Sequence, residues 1–133
     1  MRIILVREWD SQHTGSGCCG TIGGIHDELG GGSDYAHCRV LMDRMGAVYR
    51  ALRAALGAAV AIEVVDPRNT FWLLPALWRD ARRRGATWAE AWRTVRQGTA
   101  NGAIVADGRV LSVGPPPDPA AVVTKVEGLL RAG

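Results

Sequence analysis

The sequence predicts an α/β protein in which a four-stranded mixed sheet lies between helices, with the element order β-α-β-α-β-β-α. Three observations predict this class: an apolar run at residues 3–6, a helical apolar stripe over residues 38–56, and an Asp-Gly dipeptide between two short apolar runs near the C-terminus. The chain has 133 residues, of which 47% are hydrophobic. This size suits one core, so we expect a single domain over residues 1–133.

The first elements are a strand and a long glycine-rich segment. Residues 3–6 (IILV) form a continuous apolar run, which is typical of a strand buried on both faces. Residues 10–32 contain eight of the seventeen glycines and show no periodicity, so we expect a long loop there. Ser33 or Asp34 can cap the helix that follows, because a short polar side chain accepts a bond from the first free N–H groups.

A helix and a second strand come next. The apolar residues of this helix recur at spacings of three and four, which puts them on one helical face, and Gly57 ends it. They are Cys38, Leu41, Met45, Val48, Leu52 and Leu56. We expect residues 59–65 to form a second buried strand, which the turn sequence Asp-Pro-Arg-Asn at residues 66–69 ends.

Two helices follow that turn in succession. Residues 70–84 are helical in character, include Pro75, and are followed by a glycine that ends the helix. Thr87 and Glu90 have the spacing of a capping box, in which each side chain bonds the backbone N–H of the other residue. A further helix should therefore begin there and run to about residue 97.

A hairpin and a last helix complete the chain. Asp107 and Gly108 separate two short apolar runs, and this dipeptide tolerates the positive φ angles of a tight hairpin turn. Residues 114–119 (GPPPDP) form a rigid connection to a closing helix over residues 119–130, whose valines and leucines recur at helical spacing.

This order, the hairpin AIVADGRVLSVG and the closing segment DPAAVVTKVEGLL resemble the thioredoxin-like superfamily over nearly the whole chain. The closest resemblance is to small members that include the thioredoxin-like ferredoxins and the YuzD-type disulfide proteins. It implies chemistry at the end of the first strand and the start of the first helix. Two usual features are replaced: Cys-x-x-Cys by the adjacent pair Cys18 and Cys19, and a cis-proline by residues 99–103 (TANGA).

All three cysteines and all three histidines lie within 26 residues. They are His13, Cys18, Cys19, His26, His37 and Cys38. Free N–H groups at a helix start favour a thiolate and lower its pKa, and the thiolate is the form that attacks disulfides. We therefore expect Cys18, Cys19 and Cys38 to perform thiol–disulfide or related redox chemistry with a protein thiol or disulfide. His37 would assist proton transfer.

Other uses of the same segment stay open. Cys38 lies on the apolar stripe of its helix, and a buried free cysteine also behaves as a small hydrophobic residue. Alternatively, Cys18, Cys19, Cys38, His13 and His26 could bind zinc, copper or an iron–sulfur cluster, which soft sulfur and nitrogen ligands select. The thioredoxin-like ferredoxins use four cysteines, so a fourth ligand here would be a histidine or would come from a second subunit. The loop could also serve only to hold a partner protein.

The glycines of the same loop match a phosphate-binding pattern. Residues 15–20 (GSGCCG) have the G-x-G-x-x-G spacing of dinucleotide-binding folds. In those folds the helix opens directly at the glycines and an acidic residue follows about 20 positions later. Here the predicted helix begins 13 residues after Gly20 and the candidate acid, Asp66, lies 46 residues after it. We therefore do not expect nucleotide binding.

The segment of residues 70–97 combines aromatic residues with arginines. The net charge of the chain is +3, and residues 67–96 contain seven arginines but only two acidic residues. Such segments can bind nucleic acid through phosphate contacts and stacking, but helical spacing favours a core-facing role, with the arginines on the solvated face. The core-facing set is Phe71, Leu74, Trp78, Trp88 and Trp92. We do not expect nucleic-acid binding; a non-catalytic protein-interaction module or a homodimer contact at exposed tryptophans is the alternative.

Targeting signals and membrane segments are not evident in the sequence. The N-terminal MRIILVREWD has neither a long apolar region nor a small-residue cleavage site, and no apolar stretch approaches the roughly 20 residues that span a bilayer. Three cysteines do not form an even disulfide framework. We expect a cytoplasmic protein without membrane association.

Overall fold

The computed structural model describes residues 1–8 and 36–132, and of residues 36–39 the backbone alone. Within these residues, four helices and four strands follow one another in the predicted order. They are β1 (Arg2–Val6), α1 (Ala36–Leu56), β2 (Ala61–Val65), α2 (Thr70–Arg83), α3 (Trp88–Gly98), β3 (Ile104–Ala106), β4 (Arg109–Ser112) and α4 (Pro119–Ala132). The predicted loop over residues 10–32 and the predicted caps Ser33 and Asp34 lie outside the described residues.

The strands form the predicted mixed sheet, in the order β2-β1-β3-β4. β1 runs parallel to β2, with Ile3 opposite Ile62, and antiparallel to β3, with Ile4 opposite Val105. Parallel neighbours need a crossover, which α1 supplies, whereas β3 and β4 form a hairpin. β1 is therefore a central strand whose backbone pairs on both sides.

The side chains of β1 alternate in direction, which puts apolar side chains on both faces of the sheet, and helices cover both faces. Ile3 and Leu5 pack in one cluster with α1 and α4, and Ile4 and Val6 pack in another with α2 and α3. The helical residues of the first cluster are Met45, Val48, Leu52, Val122 and Val126. Those of the second are Leu73, Ala76, Leu77 and Val95. The prediction of a sheet between helices is confirmed.

The hairpin turn between β3 and β4 packs against α2 and α3. Asp107 and Gly108 have φ angles of 42° and 70°, as the predicted tight turn requires. A Cβ at Gly108 would lie 2.2 Å from the backbone nitrogen of Ala81. Only glycine, which has no Cβ, therefore allows the turn to lie this close to α2. The Gly108 carbonyl accepts hydrogen bonds from Thr94 Oγ1 and Arg84 Nε, each at 3.1 Å.

The predicted capping box of α3 is present. The Glu90 N–H donates to Thr87 Oγ1 at 3.3 Å, and the Thr87 N–H donates to Glu90 Oε2 at 2.8 Å. The backbone N–H of Thr87 is the main reason why the pKa of Glu90 is lowered, and the Thr87 hydroxyl and the charges of Arg84 and Arg93 act in the same direction.

The second strand differs from its prediction. β2 begins at Ala61 rather than at residue 59, because residues 57–59 form a 3₁₀ turn after α1. β2 was also expected to be buried, but only Val65 is buried and Ala61 is exposed. Among the described strands, β2 has a neighbour on one side only, and an edge strand exposes part of its surface.

No helix in the described part of the chain is long and apolar enough to cross a bilayer.

Candidate functional site

The loop before β3 lies against the end of the sheet at which β1 ends. The Val6 N–H donates to the Ala103 carbonyl at 2.9 Å, and the Gly102 N–H donates to the Val6 carbonyl at 2.8 Å. Asn101 extends this contact, since its Oδ1 accepts a hydrogen bond from the Glu8 N–H at 3.3 Å. The loop therefore lies directly beside the point at which the chain leaves β1.

This loop is fixed by a close backbone approach at Gly102. Its φ angle is 83°, and a Cβ built on it would lie 2.1 Å from the Gly114 carbonyl oxygen. Only glycine combines this conformation with that approach. The loop before β3 and the chain leaving β4 are thus held together at the same end of the sheet.

A groove of about 570 Å³ opens between these loops and α1. Val40, Leu41 and Arg44 line its helical wall, and Asn101 and residues 114–116 line the other. The lining is mostly apolar, and Arg44 and Asn101 are the residues with polar side chains among its described members. Its volume and composition suit a small molecule or a short apolar segment of a protein.

Two of the predicted cysteine and histidine residues, His37 and Cys38, belong to the described backbone. His37 and Cys38 are the second and third residues of α1, which continues into the groove wall. Cys18, Cys19, His13 and His26 lie outside the described residues. In the part of the chain that the structure describes, no group of three or more His, Cys, Asp or Glu side chains could hold a metal ion.

The prediction that the aromatic residues of α2 and α3 face the core is wrong for most of them. Phe71 is 96% exposed, Trp88 66% and Trp92 63%, whereas Trp78 is partly buried. The buried stripe of α3 lies beside the aromatic one and has the same helical spacing. It consists of Ala91, Thr94, Val95 and Gly98. Helical periodicity fits either stripe, and mostly small residues occupy the buried one.

The exposed rings are nevertheless ordered against one another. Trp78 makes T-shaped contacts with Trp88 and Trp92, with ring centroids 5.0 and 5.5 Å apart. The Arg82 guanidinium lies 5.6 Å from the centroid of the Trp88 ring. We call Trp78, Trp88 and Trp92 the indole cluster. Its members hold one another in place through edge-to-face contacts.

A partly buried ion pair between β1 and α2 was not predicted. Arg2 Nε and Nη2 donate to Asp80 Oδ2 at 2.8 and 2.5 Å, and Arg2 also lies over the Trp72 ring at 5.6 Å. At the hairpin, the Arg2 N–H donates to Asp107 Oδ1 at 2.7 Å. These partners are 78 and 105 residues from Arg2. No local pattern in the sequence could have indicated them.

Compared with protein-family models, with curated proteins and with solved structures, the chain has no significant match.

Proposed function

We propose that the chain is a thioredoxin-fold protein that performs thiol–disulfide chemistry through Cys18 and Cys19 with Cys38. The observation that carries the proposal is the sheet order β2-β1-β3-β4, with helices on both faces and Cys38 as the third residue of the crossover helix α1. This arrangement supports the resemblance to the thioredoxin-like superfamily. The position of Cys38 supports a reactive thiol, because the first N–H groups of a helix favour a thiolate.

The chemistry needs two sulfurs of this chain and one disulfide. A thiolate of this chain attacks a disulfide of a partner protein, forms a mixed disulfide and releases the first partner sulfur as a thiolate. A second cysteine then attacks the mixed disulfide and releases the other partner sulfur. The partner disulfide is reduced by two electrons, and the chain is oxidised to an internal disulfide. His37 would accept the proton of the attacking thiol.

A protein is the kind of substrate that the groove beside α1 favours. The groove of about 570 Å³ is open and mostly apolar, and Arg44 and Asn101 lie at its two walls. A segment that carries a disulfide could lay apolar side chains in the groove while its backbone bonds the polar residues.

Disulfide mapping tests the proposal. The purified chain is equilibrated with reduced and oxidised glutathione over a range of ratios, alkylated, digested and analysed by mass spectrometry. We expect an internal disulfide that joins two of the three cysteines, and its loss in Cys38→Ser or in Cys18→Ser/Cys19→Ser. Three free thiols at every glutathione ratio would overturn the proposal.

The rate at which Cys38 is alkylated gives an independent measurement. In Cys18→Ser/Cys19→Ser, Cys38 is the remaining thiol, and its alkylation rate against pH reports its pKa. We expect a pKa below about 8.5, the usual thiol value. A value at or above that would contradict the assigned thiolate. Zinc, copper or iron that co-purifies anaerobically with the chain and is lost with these cysteines would replace the redox proposal by metal binding.

A further inference from the structure

Exposed apolar side chains of the described residues are concentrated on α2 and α3. Among the residues whose side chains are described, eight large hydrophobic ones are exposed, and five of these belong to the two helices. They are Phe71, Trp72, Leu74, Trp88 and Trp92. Clusters of this kind are uncommon on a free protein surface and mark contacts with other molecules. This surface lies on the opposite face of the sheet from α1 and from the groove beside α1.

A groove runs beside the indole cluster. Its volume is about 480 Å³, and it lies between Leu74 of α2 and the residues of α3. Ala89, Trp92 and Val95 contribute apolar surface, and Arg93 and Arg96 contribute positive charge. The groove therefore combines an apolar floor with basic side chains.

The positive charge of this surface exceeds its negative charge. Asp80 and Glu90 are the acidic residues of α2 and α3, against five exposed arginines on the same helices, and the Glu90 carboxylate interacts with the charges of Arg84 and Arg93. Asp80 is buried against Arg2, and Glu90 accepts hydrogen bonds from Thr87. The arginines of the two helices are exposed: Arg79, Arg82, Arg83, Arg93 and Arg96.

We propose that the groove between α2 and α3, together with the indole cluster, binds an acidic amphipathic segment of another protein. Its apolar side chains would contact Leu74 and Trp92, and its carboxylates would pair with Arg93 and Arg96, which gives the charge complementarity that specific interfaces use. Ordered tryptophans lower the entropy cost of binding and are typical of residues that dominate binding energy.

Two other occupants fit the surface less well. A second copy of the chain related by a two-fold axis would bring this arginine-rich surface against itself. Single-stranded nucleic acid needs aromatic faces on which successive bases stack. Here Arg82 covers a face of Trp88, Arg2 covers a face of Trp72, and the indoles of the cluster meet edge to face.

Selection from random peptides tests the proposal. The immobilised full chain is used to select peptides of about 16 residues, enough for about four helical turns, and the enriched peptides are synthesised and titrated against the chain in solution. We expect enrichment of Asp and Glu together with Leu, Ile or Phe at spacings of three and four. Selected peptides without an acidic excess would overturn the proposal.

Paired variants locate the binding site. Trp88→Ala/Trp92→Ala and Arg93→Glu/Arg96→Glu should each weaken binding of the synthesised peptide by about 10-fold or more. Lys125→Glu/Arg131→Glu makes the same change of charge at exposed positions of α4 and should leave binding within about 2-fold. Thermal unfolding shows that each variant is folded. Equal affinity for the wild type and both groove variants would contradict the site.

The other occupants are separate outcomes of the same experiment. Tighter binding of a thymidine oligonucleotide than of the peptide, lost in Trp88→Ala/Trp92→Ala, would replace the proposal by nucleic-acid binding. Self-association lost in the same variant would replace it by a dimer. Because the proposal is independent of the cysteines, Cys18→Ser/Cys19→Ser/Cys38→Ser should bind the peptide with unchanged affinity even if the redox proposal fails.

Discussion

Helix α3 places its bulky side chains differently from the two helices on the other face of the sheet. In the layer of α1 and α4, large aliphatic residues such as Met45, Leu52 and Val126 are buried against the sheet. In the other layer, α3 buries Ala91 against Ala81 and Ala86 and packs Gly98 beside Leu77 and Val105, and it leaves Trp88 and Trp92 mostly exposed. Both arrangements have helical spacing. In α3, mostly small residues therefore fill the buried positions, and the bulky side chains form an external surface.

The largest expected difference in the free energy of unfolding is between substitutions of one residue from each layer. Leu52→Ala empties a fully buried position and should lower the free energy of unfolding by about 2–5 kcal/mol, through lost burial and the cavity that remains. Trp88→Ala removes a larger side chain that is mostly exposed, so it should cost only about 1 kcal/mol, the value of its contact with Trp78. Urea unfolding measures both. A greater loss for Trp88→Ala than for Leu52→Ala would show that the indole cluster belongs to the core.

Two helical glycines provide a sharper comparison of the layers. A Cβ at Gly98 would lie 3.0 Å from both Cδ atoms of Leu77 and 3.2 Å from Val105 Cγ2, and both neighbours are buried. Gly98→Ala should therefore destabilise the protein by about 1–2 kcal/mol through overpacking. At Gly46 in α1 the nearest atom is the flexible Arg50 Nη1 at 3.4 Å. Gly46→Ala should stabilise the protein by about 0.5–1 kcal/mol, because alanine is the better helix former.

Thermal unfolding of the two glycine variants decides between these expectations. A rise in Tm for Gly98→Ala equal to that for Gly46→Ala would mean that α3 does not pack closely on the sheet. Gly128→Ala in α4 is a matched control, since among the described residues nothing outside the helix's own backbone lies within 4 Å of the added Cβ, and the same small stabilisation is expected there.

Local signals in the sequence predicted most of the fold. The turn at Asp107 and Gly108 and the capping box of Thr87 and Glu90 depend on residues close together in the chain, and both are confirmed. The four-stranded mixed sheet followed from the order of the elements. What sequence spacing could not decide was which of two adjacent stripes of α3 faces the sheet, because both repeat at the same interval.

The candidate site was less predictable than the fold. The clustering of cysteine and histidine residues indicated the end of the sheet near the start of α1, and the chemistry expected there stays a prediction. The groove beside α1 depends on the approach of Gly102 to Gly114, and the pair of Arg2 and Asp80 joins residues 78 positions apart. Such contacts arise only when distant segments pack together, so periodicity and spacing carry no signal for them.

The smallest expected effect is a pH dependence of stability that arises from Glu90 at the start of α3. The pKa of Glu90 is lowered from its ordinary value of 4.5, chiefly by the Thr87 N–H. A carboxylate whose pKa is lower in the folded state stabilises the protein above the unfolded pKa, and this stabilisation disappears as the pH falls through the folded value. Glu90→Gln keeps a hydrogen-bonding side chain but does not titrate.

Unfolding of the wild type and Glu90→Gln as a function of pH isolates this contribution. We expect the wild type to be the more stable protein near pH 7, and the difference to shrink as the pH falls below about 4.5, because protonated Glu90 and the glutamine that replaces it are then both uncharged. A constant difference from pH 7 to below the folded pKa would contradict the assigned role. It would show that the capping box holds the start of α3 by geometry alone and that the charge of Glu90 adds nothing to this layer.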